Sequence, residues 1–200
     1  MQRIVIKLGG SSFFNQGGFQ SELRSLLEQY RNAQVYMIVG GGDLVEAMRT
    51  LHLLYPSLNA EELHWQCIEL LDYSWSIASQ VFPVDEMMYH QDDLAKFGKD
   101  VSKGKTGWVR VQAFYSKSLC EGIPKAWLPH CNWSTTSDAL AWLLGMIVQA
   151  DRVVLIKQCW CDPNWTIADA ADRGVVDPEI ARLSRLNPNS KLHIELRTME

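Results

Sequence analysis

Ile4-Val5-Ile6-Lys7-Leu8-Gly9-Gly10-Ser11-Ser12 is the stretch from which the fold can be inferred. Its apolar first half predicts a short buried strand, with Lys7 near the end of that strand. Gly9 and Gly10 let the backbone turn sharply, and Ser11 adds a hydroxyl and an amide N–H. An ammonium group beside close N–H donors is suited to holding phosphate oxygens. We therefore expect a phosphorylated small molecule here, while an ordinary turn stays open as the alternative.

Composition excludes several classes of protein. The 200 residues carry a net charge of -4 and a pI near 5.7, without a basic tract, which argues against nucleic-acid binding. The longest apolar run, residues 139–148, is too short to cross a membrane. Five cysteines, an odd number, with no signal-like leader favour reduced thiols and a cytoplasmic protein. Their spacings match no strong metal site, so we expect no protein-bound metal.

Strands and helices alternate along the chain. Residues 3–8, 35–39 and 152–157 are near-continuous apolar runs, typical of strands buried on both faces. Helical spacing of apolar residues follows over residues 19–30 and 44–54. The pattern predicts an α/β fold with a mainly parallel central sheet, formed as one domain over residues 1–200.

Weaker signals complete the prediction. We expect strands at residues 84–89, 109–114, 127–130 and 192–196, and an exposed loop over residues 96–107. A long helix is expected from an N-cap at Asn59, and a strongly apolar helix after Ser134–Asp138.

A second glycine cluster follows the second predicted strand. Gly40, Gly41 and Gly42 lie between that strand and a helix, for which Asp43 is the expected N-cap. Three bare backbone N–H groups at a helix N-terminus are suited to an anion. A tight turn usually needs only one glycine, so we interpret the cluster as a substrate-binding bend.

Two charged residues join the glycine bends at the same sheet edge. Lys157 ends the apolar strand 152–157, and ligands in such sheets bind at the carboxyl ends of strands. Asp138 starts an apolar helix, where it is either an N-cap or a carboxylate that positions the two lysines. Lysines and N–H donors around one anion suit phosphoryl transfer, which requires alignment and charge neutralisation.

Three motifs, Val5–Ser11, Val39–Asp43 and Thr136–Ala139, resemble the amino acid kinase superfamily in type and order. The resemblance implies a three-layer αβα sandwich around an eight-stranded, mostly parallel sheet. It also implies ATP as phosphoryl donor, Mg²⁺ on the nucleotide phosphates, a small phosphate or carboxylate acceptor, and a homodimer.

The same resemblance implies roles for individual residues. Lys7 and Lys157 would stabilise the moving phosphoryl group, and Asp138 would organise them. The ATP phosphates would be bound by Gly9, Gly10 and Ser11. The acceptor would be bound by Gly40, Gly41, Gly42 and Asp43.

The segments Thr136–Asp138 and Ala171–Pro178 resemble a small branch of the superfamily that acts in tetrahydromethanopterin synthesis and phosphorylates aminomethylfuran phosphate to a diphosphate. A uridylate kinase-like activity is the alternative. After Lys157, the family's usual Asp-Gly segment is replaced by Gln158–Pro163, in which Trp160 stands where the family has a small residue. Trp160 is therefore a candidate for stacking on the adenine base, and a non-catalytic ligand-binding member of the fold stays open.

Overall fold

The computed structural model describes residues 1–10, 19–100 and 103–199. Within these residues one sheet has six strands in the order β3-β4-β2-β1-β5-β6, and every neighbouring pair is parallel. The strands are β1 (Arg3–Leu8), β2 (Gln34–Val39), β3 (Glu86–Met88), β4 (Lys105–Val109), β5 (Arg152–Lys157) and β6 (His193–Thr198). The prediction of an α/β fold with a parallel central sheet is therefore confirmed.

Helices cover both faces of the sheet. They are α1 (Phe19–Gln29), α2 (Asp43–Leu54), α3 (Ala60–Val81), α4 (Gln91–Lys99), α5 (Lys117–Cys120), α6 (Ser137–Ile147), α7 (Ile167–Asp172) and α8 (Pro178–Leu186). Helix α3 begins as expected, because the Asn59 side chain accepts hydrogen bonds from the N–H groups of Glu61 and Glu62. In the described part of the chain, none of these helices is both long and apolar enough to cross a bilayer.

Alternation along β1 divides the core into two layers. Ile4, Ile6 and Leu8 face the layer that contains α1. Val5 faces the opposite layer, which contains α4, α6 and α8. Since successive side chains on a strand point to opposite faces, Lys7 lies on the same face as Val5 and is directed toward α6.

Helix α6 occupies the centre of its layer. Leu140, Trp142, Leu143 and Leu144 are each at most 1% exposed, so the helix is apolar around most of its circumference. A helix of this composition is stable only when it is enclosed, and it packs against both β1 and β5. Its buried N-terminal turn brings Asp138 to the end of those two strands.

Several weaker predictions are wrong. The strand expected at residues 109–114 ends at Val109, and residues 111–113 form a single 3-10 turn. The apolar side chains after Val109 are buried beneath the helical layer. They are apolar because they are buried, although they do not belong to a strand. The loop expected over residues 96–107 contains the end of α4 and the start of β4, in which Gly107 allows Met88 to approach closely.

Three smaller expectations also need correction. Residues 125–127 form a 3-10 turn, and no strand follows at residues 127–130. The described residues form six strands, where the family resemblance implies eight. The N-cap of α2 is Gly42, and Asp43 is the first helical residue, because the chain enters this helix with a backbone conformation that favours glycine.

Candidate active site

The register of the sheet places the two lysines side by side. Lys7 of β1 pairs with Leu155 of β5, so Lys157 lies two residues further along the adjacent strand. Side chains two positions apart along a strand point to the same face of the sheet. Lys7 and Lys157 therefore both point toward the start of α6. The sheet therefore sets the spacing between the backbone positions from which the two ammonium groups extend.

Asp138 lies between the lysines. Lys157 Nζ donates a hydrogen bond to Asp138 Oδ2 at 2.6 Å. Lys7 Nζ lies 3.0 Å from Asp138 Oδ1, but this ion pair lacks hydrogen-bond geometry, and Oδ1 has no hydrogen-bond partner among the described residues. All three side chains are nearly buried, with exposures of 8% for Lys7, 11% for Lys157 and 4% for Asp138. Lys7 is thus held beside the carboxylate by charge, at the border of the cavity described below.

The protonation of this group follows from burial and mutual charge. Burial alone would raise the pKa of Asp138, but the two ammonium groups outweigh it and hold that pKa below its usual range. Burial lowers the pKa of Lys157, Lys7 lowers it further, and Asp138 opposes both. The carboxylate is therefore ionised, and it keeps two like charges close together.

The N-cap of α6 is Thr136, whose hydroxyl accepts a hydrogen bond from the Asp138 N–H. The alternative in which Asp138 itself caps this helix is therefore wrong, and its carboxylate is directed to the lysines. A second buried carboxylate, Asp177, accepts hydrogen bonds from the Thr136 N–H at 2.9 Å and the Ala139 N–H at 3.1 Å. Asp177 also caps α8 by accepting from the Ile180 N–H at 2.7 Å.

Asp177 has an unusual environment for a carboxylate. Burial raises its pKa to about 6, and the nearby negative charge of Asp138 adds to the increase. Its side chain joins the N-terminal ends of α6 and α8 through four hydrogen bonds, one of them from the Thr136 hydroxyl. Asp177 therefore positions the turn that carries Asp138.

The two glycine bends are in direct contact. A Cβ atom on Gly10 would lie 2.2 Å from the Gly42 nitrogen and 2.6 Å from the Gly40 oxygen. A Cβ on Gly40 would lie 2.6 Å from Ser137 Oγ and 3.5 Å from Lys7 Cε. A side chain at either position would separate the bends, which are positioned against each other and against the lysine.

The other two glycines of the second bend have different structural reasons. A Cβ on Gly41 would lie 2.1 Å from Val45 Cγ2. Gly42 has a φ of 52° and a ψ of -138°, a conformation that residues with a side chain rarely adopt. The three consecutive glycines suggested ligand contact. Two of them are also explained by close packing, at Gly41, and by the backbone conformation at the start of α2, at Gly42.

A cavity of about 240 Å³ opens beside Lys7. Both glycine bends form one wall, since the cavity is bordered by Gly9, Gly10, Gly40, Gly41 and Gly42. Helices α2 and α3 and the segment before α6 form the other walls, to which they contribute Glu46, Arg49, His64, Cys67 and Trp133. Of the lysine pair, Lys7 borders the cavity, and Lys157 lies behind it on the far side of Asp138.

Other predicted residues lie apart from the cavity. The side chain of Asp43 is exposed and does not border it. Trp160 is 68% exposed, and its ring lies edge-on to Trp165 at 5.4 Å between centroids. Ser11 lies outside the described residues. Neither Asp43 nor Trp160 is among the residues that border the cavity beside Lys7.

Sequence reasoning missed two features of the site. Asp177 precedes Pro178, and this Asp-Pro pair is a recognisable start signal for α8 that could have been identified. Its second role, on the N-terminus of α6, depends on contacts 38 and 41 residues away in sequence. Arg49 and Trp133 also border the cavity, and no local pattern links them.

Among the described residues, no group of three or more His, Cys, Asp or Glu side chains is arranged to hold a metal ion.

Comparison with known proteins identifies the fold. The crystal structure of uridylate kinase from Archaeoglobus fulgidus is similar, with a TM-score of 0.59 over 100% of this chain and 91% of that chain. Sequence identity is 17%. No protein-family model matches the chain, and no curated protein matches its sequence. The chain therefore shares the fold of this kinase, the amino acid kinase fold.

Proposed function

We propose that this protein is a kinase that transfers a phosphoryl group from ATP to an acidic oxygen of a small molecule. The pair of lysines around Asp138, at the edge of a cavity lined by glycine bends, carries the proposal. Phosphoryl transfer needs positive charge and N–H donors positioned before the reaction, more than it needs covalent help. The likeness in fold to a uridylate kinase supports the same class of reaction.

Each residue has a role in the proposed reaction. Lys7 borders the cavity and would neutralise charge that develops on the phosphoryl group in transfer. Asp138 holds Lys7 and Lys157 at a fixed separation and lowers their mutual repulsion. The glycine bends would bring backbone N–H groups to phosphate oxygens. Mg²⁺ would enter on the nucleotide phosphates, because both oxygens of Asp138 already face lysines.

For the acceptor, we propose a compact phosphate monoester that is converted to a diphosphate, with aminomethylfuran phosphate of tetrahydromethanopterin synthesis as the first candidate. The sequence resemblance to that branch is one support. The cavity volume of about 240 Å³ is another, since small-molecule pockets in general measure roughly 300–1,000 Å³ and a cavity below this range favours the smaller acceptor. UMP, the alternative acceptor, is the larger molecule.

The test measures ADP release from Mg·ATP with aminomethylfuran phosphate or UMP as acceptor. We expect turnover with the first compound, and a loss of about 100- to 1,000-fold in kcat for Lys7→Ala. Lys191→Ala, at an exposed lysine, is the matched control and should leave kcat unchanged. Full turnover in Lys7→Ala would refute the proposed role. Acceptor binding without ADP release would instead identify a non-catalytic, ligand-binding protein.

We also propose that the protein forms a cytoplasmic homodimer through α2 and α3. Large apolar side chains are uncovered there, including Leu54 at 67%, Tyr73 at 65% and Ile77 at 53% exposure. Helices α2 and α3 pack against each other, and large apolar side chains left exposed on neighbouring helices are what a protein interface covers. Sedimentation should show a dimer for the wild type and a monomer for Ile77→Glu. A wild type that sediments as a monomer at high micromolar concentration would refute this assembly.

A further inference from the structure

The two cationic side chains that line the cavity differ in how strongly they are paired with carboxylates. Lys7 is paired with Asp138, whereas Arg49 borders the cavity from α2. Burial lowers the pKa of His64 to about 4, so this third lining base is neutral. Among the described lining residues, the cations are therefore Lys7 and Arg49.

Arg49 keeps hydrogen-bonding capacity for a ligand. Its Nε atom is buried and has no hydrogen-bond partner in the described structure. The nearest carboxylate oxygen, Glu46 Oε2, lies 3.3 Å away without hydrogen-bond geometry, and the Glu46 side chain is 66% exposed. Such a solvated ion pair is weak. The Arg49 side chain as a whole is 37% exposed, so a ligand can reach its guanidinium through the N–H groups other than the enclosed Nε.

The guanidinium is also held in place. Its carbon lies 5.2 Å from the ring centroid of Trp133, in a cation–π arrangement. The Trp133 indole N–H donates to His52 Nδ1 at 2.6 Å, and His52 lies one turn after Arg49 on α2. Trp133 thus fixes both the helix and the arginine, which reduces the entropy lost when a ligand binds.

From this geometry we infer that Arg49 is the residue that binds the acidic group of the acceptor, with Trp133 and His52 as positioning residues. The ligand class is a phosphate or carboxylate, because a guanidinium presents paired N–H donors that match two oxygens of such a group. This inference rests on the proposed function for its role in turnover, since Lys7 would then act on the phosphoryl group in transfer while Arg49 holds the acceptor. Binding of the anion itself requires no turnover.

The experiment separates binding from catalysis. Titration calorimetry with inorganic phosphate should show affinity reduced about 10- to 100-fold in Arg49→Gln, the range expected for losing a charged hydrogen-bond donor. Arg49→Lys should retain part of the affinity, because it keeps the charge. The matched control is Arg24→Gln, since Arg24 also lies over an aromatic ring, that of Phe82, on an exposed part of α1. It should bind phosphate like the wild type.

Steady-state kinetics provides the second readout. Arg49→Gln should raise the acceptor KM by a similar factor and leave the KM for ATP unchanged, with a smaller effect on kcat. Trp133→Phe, which retains a ring and loses the bond to His52, should give an intermediate KM. Unchanged phosphate affinity in a folded Arg49→Gln would overturn the inference. Loss of phosphate binding in that variant, with no kinase activity in the wild type, would uphold it and refute the proposed function.

Discussion

Helices α6 and α2 both begin at the carboxyl edge of the sheet beside the same cavity, but they are held very differently. Eight of the eleven residues of α6 are buried, whereas none of the twelve residues of α2 is. Helix α6 carries Asp138, which must hold two lysines at a fixed separation. Helix α2 carries Arg49, which borders the cavity and which we propose binds the acceptor. The site thus has a rigid, buried wall on α6 and a lightly packed wall on α2.

The largest expected effect comes from Asp138→Asn on the rigid wall. Removing this charge leaves two buried ammonium groups without a counter-ion, a change that costs about 3–5 kcal/mol in comparable pairs. We expect kcat to fall at least about 100-fold and the free energy of unfolding to fall as well. ADP release and urea unfolding measure the two effects.

A matched control is Asp93→Asn, which removes a capping carboxylate from α4, away from the cavity. It should cost about 1 kcal/mol of stability and leave kcat unchanged. If Asp138→Asn retained wild-type kcat, Asp138 would be no more than a structural partner of the lysines.

A pair of leucine truncations compares the two helices directly. Leu143 of α6 is fully buried, and Leu51 of α2 is 44% exposed. Leu143→Ala should reduce the free energy of unfolding by about 2–5 kcal/mol, because it leaves a cavity in a packed core. Leu51→Ala should cost less than about 1 kcal/mol when measured on the monomeric protein. Equal costs in urea unfolding would contradict the contrast between the walls.

The pH dependence of stability tests the carboxylate that positions α6. The pKa of Asp177 is raised to about 6 in the folded protein, against about 3.9 in an unfolded chain. Between these values the folded state binds more protons, so stability falls as pH rises from about 4 to about 6. The effect amounts to at most about 3 kcal/mol.

Asp177→Asn cannot titrate, and it also loses part of the capping. It should therefore be more destabilising at pH 4 than at pH 7, since the wild type benefits from the bound proton only at the lower pH. Urea unfolding of both proteins at the two pH values gives the comparison. A pH-independent difference between them would show that the pKa of Asp177 is unperturbed by folding.

The smallest expected effect is at Trp160, which lies outside both walls. Its exposed ring contributes little to stability, so Trp160→Ala should melt like the wild type. If the ring stacks on the adenine base, ATP affinity should fall by about three- to tenfold, near the lower end of measured base–aromatic stacking. Calorimetric titration with ATP measures it, and an unchanged affinity would exclude Trp160 from the nucleotide site.

The central part of the fold could be predicted because its signals are local. Strands β1, β2 and β5 are continuous apolar runs, and a strand buried on both faces has no other pattern. Strand β4 could not be predicted in the same way. It begins with Lys105 and contains Gly107, and only its last residues are buried, so its composition indicates a loop.

The residues of the candidate site also fall into a group that the sequence predicts and a group that it does not. Lys7, Lys157 and Asp138 were predictable together because parallel strands end at one edge, and that rule needs no side-chain detail. Arg49 and Trp133 are 84 residues apart in sequence and meet only after α2 folds against the segment before α6. Asp177 could not be linked to α6 from the sequence, because its contacts with the start of that helix span 38 and 41 residues.

Because Asp177 caps both α6 and α8, it affects when the site can form during synthesis of the chain. Lys7, Asp138 and Lys157 all leave the ribosome before Asp177 does. Until then, the N–H groups of Thr136 and Ala139 lack the acceptor that they have in the finished protein. The turn that places Asp138 between the lysines therefore cannot take its final hydrogen bonds until residue 177 has been synthesised.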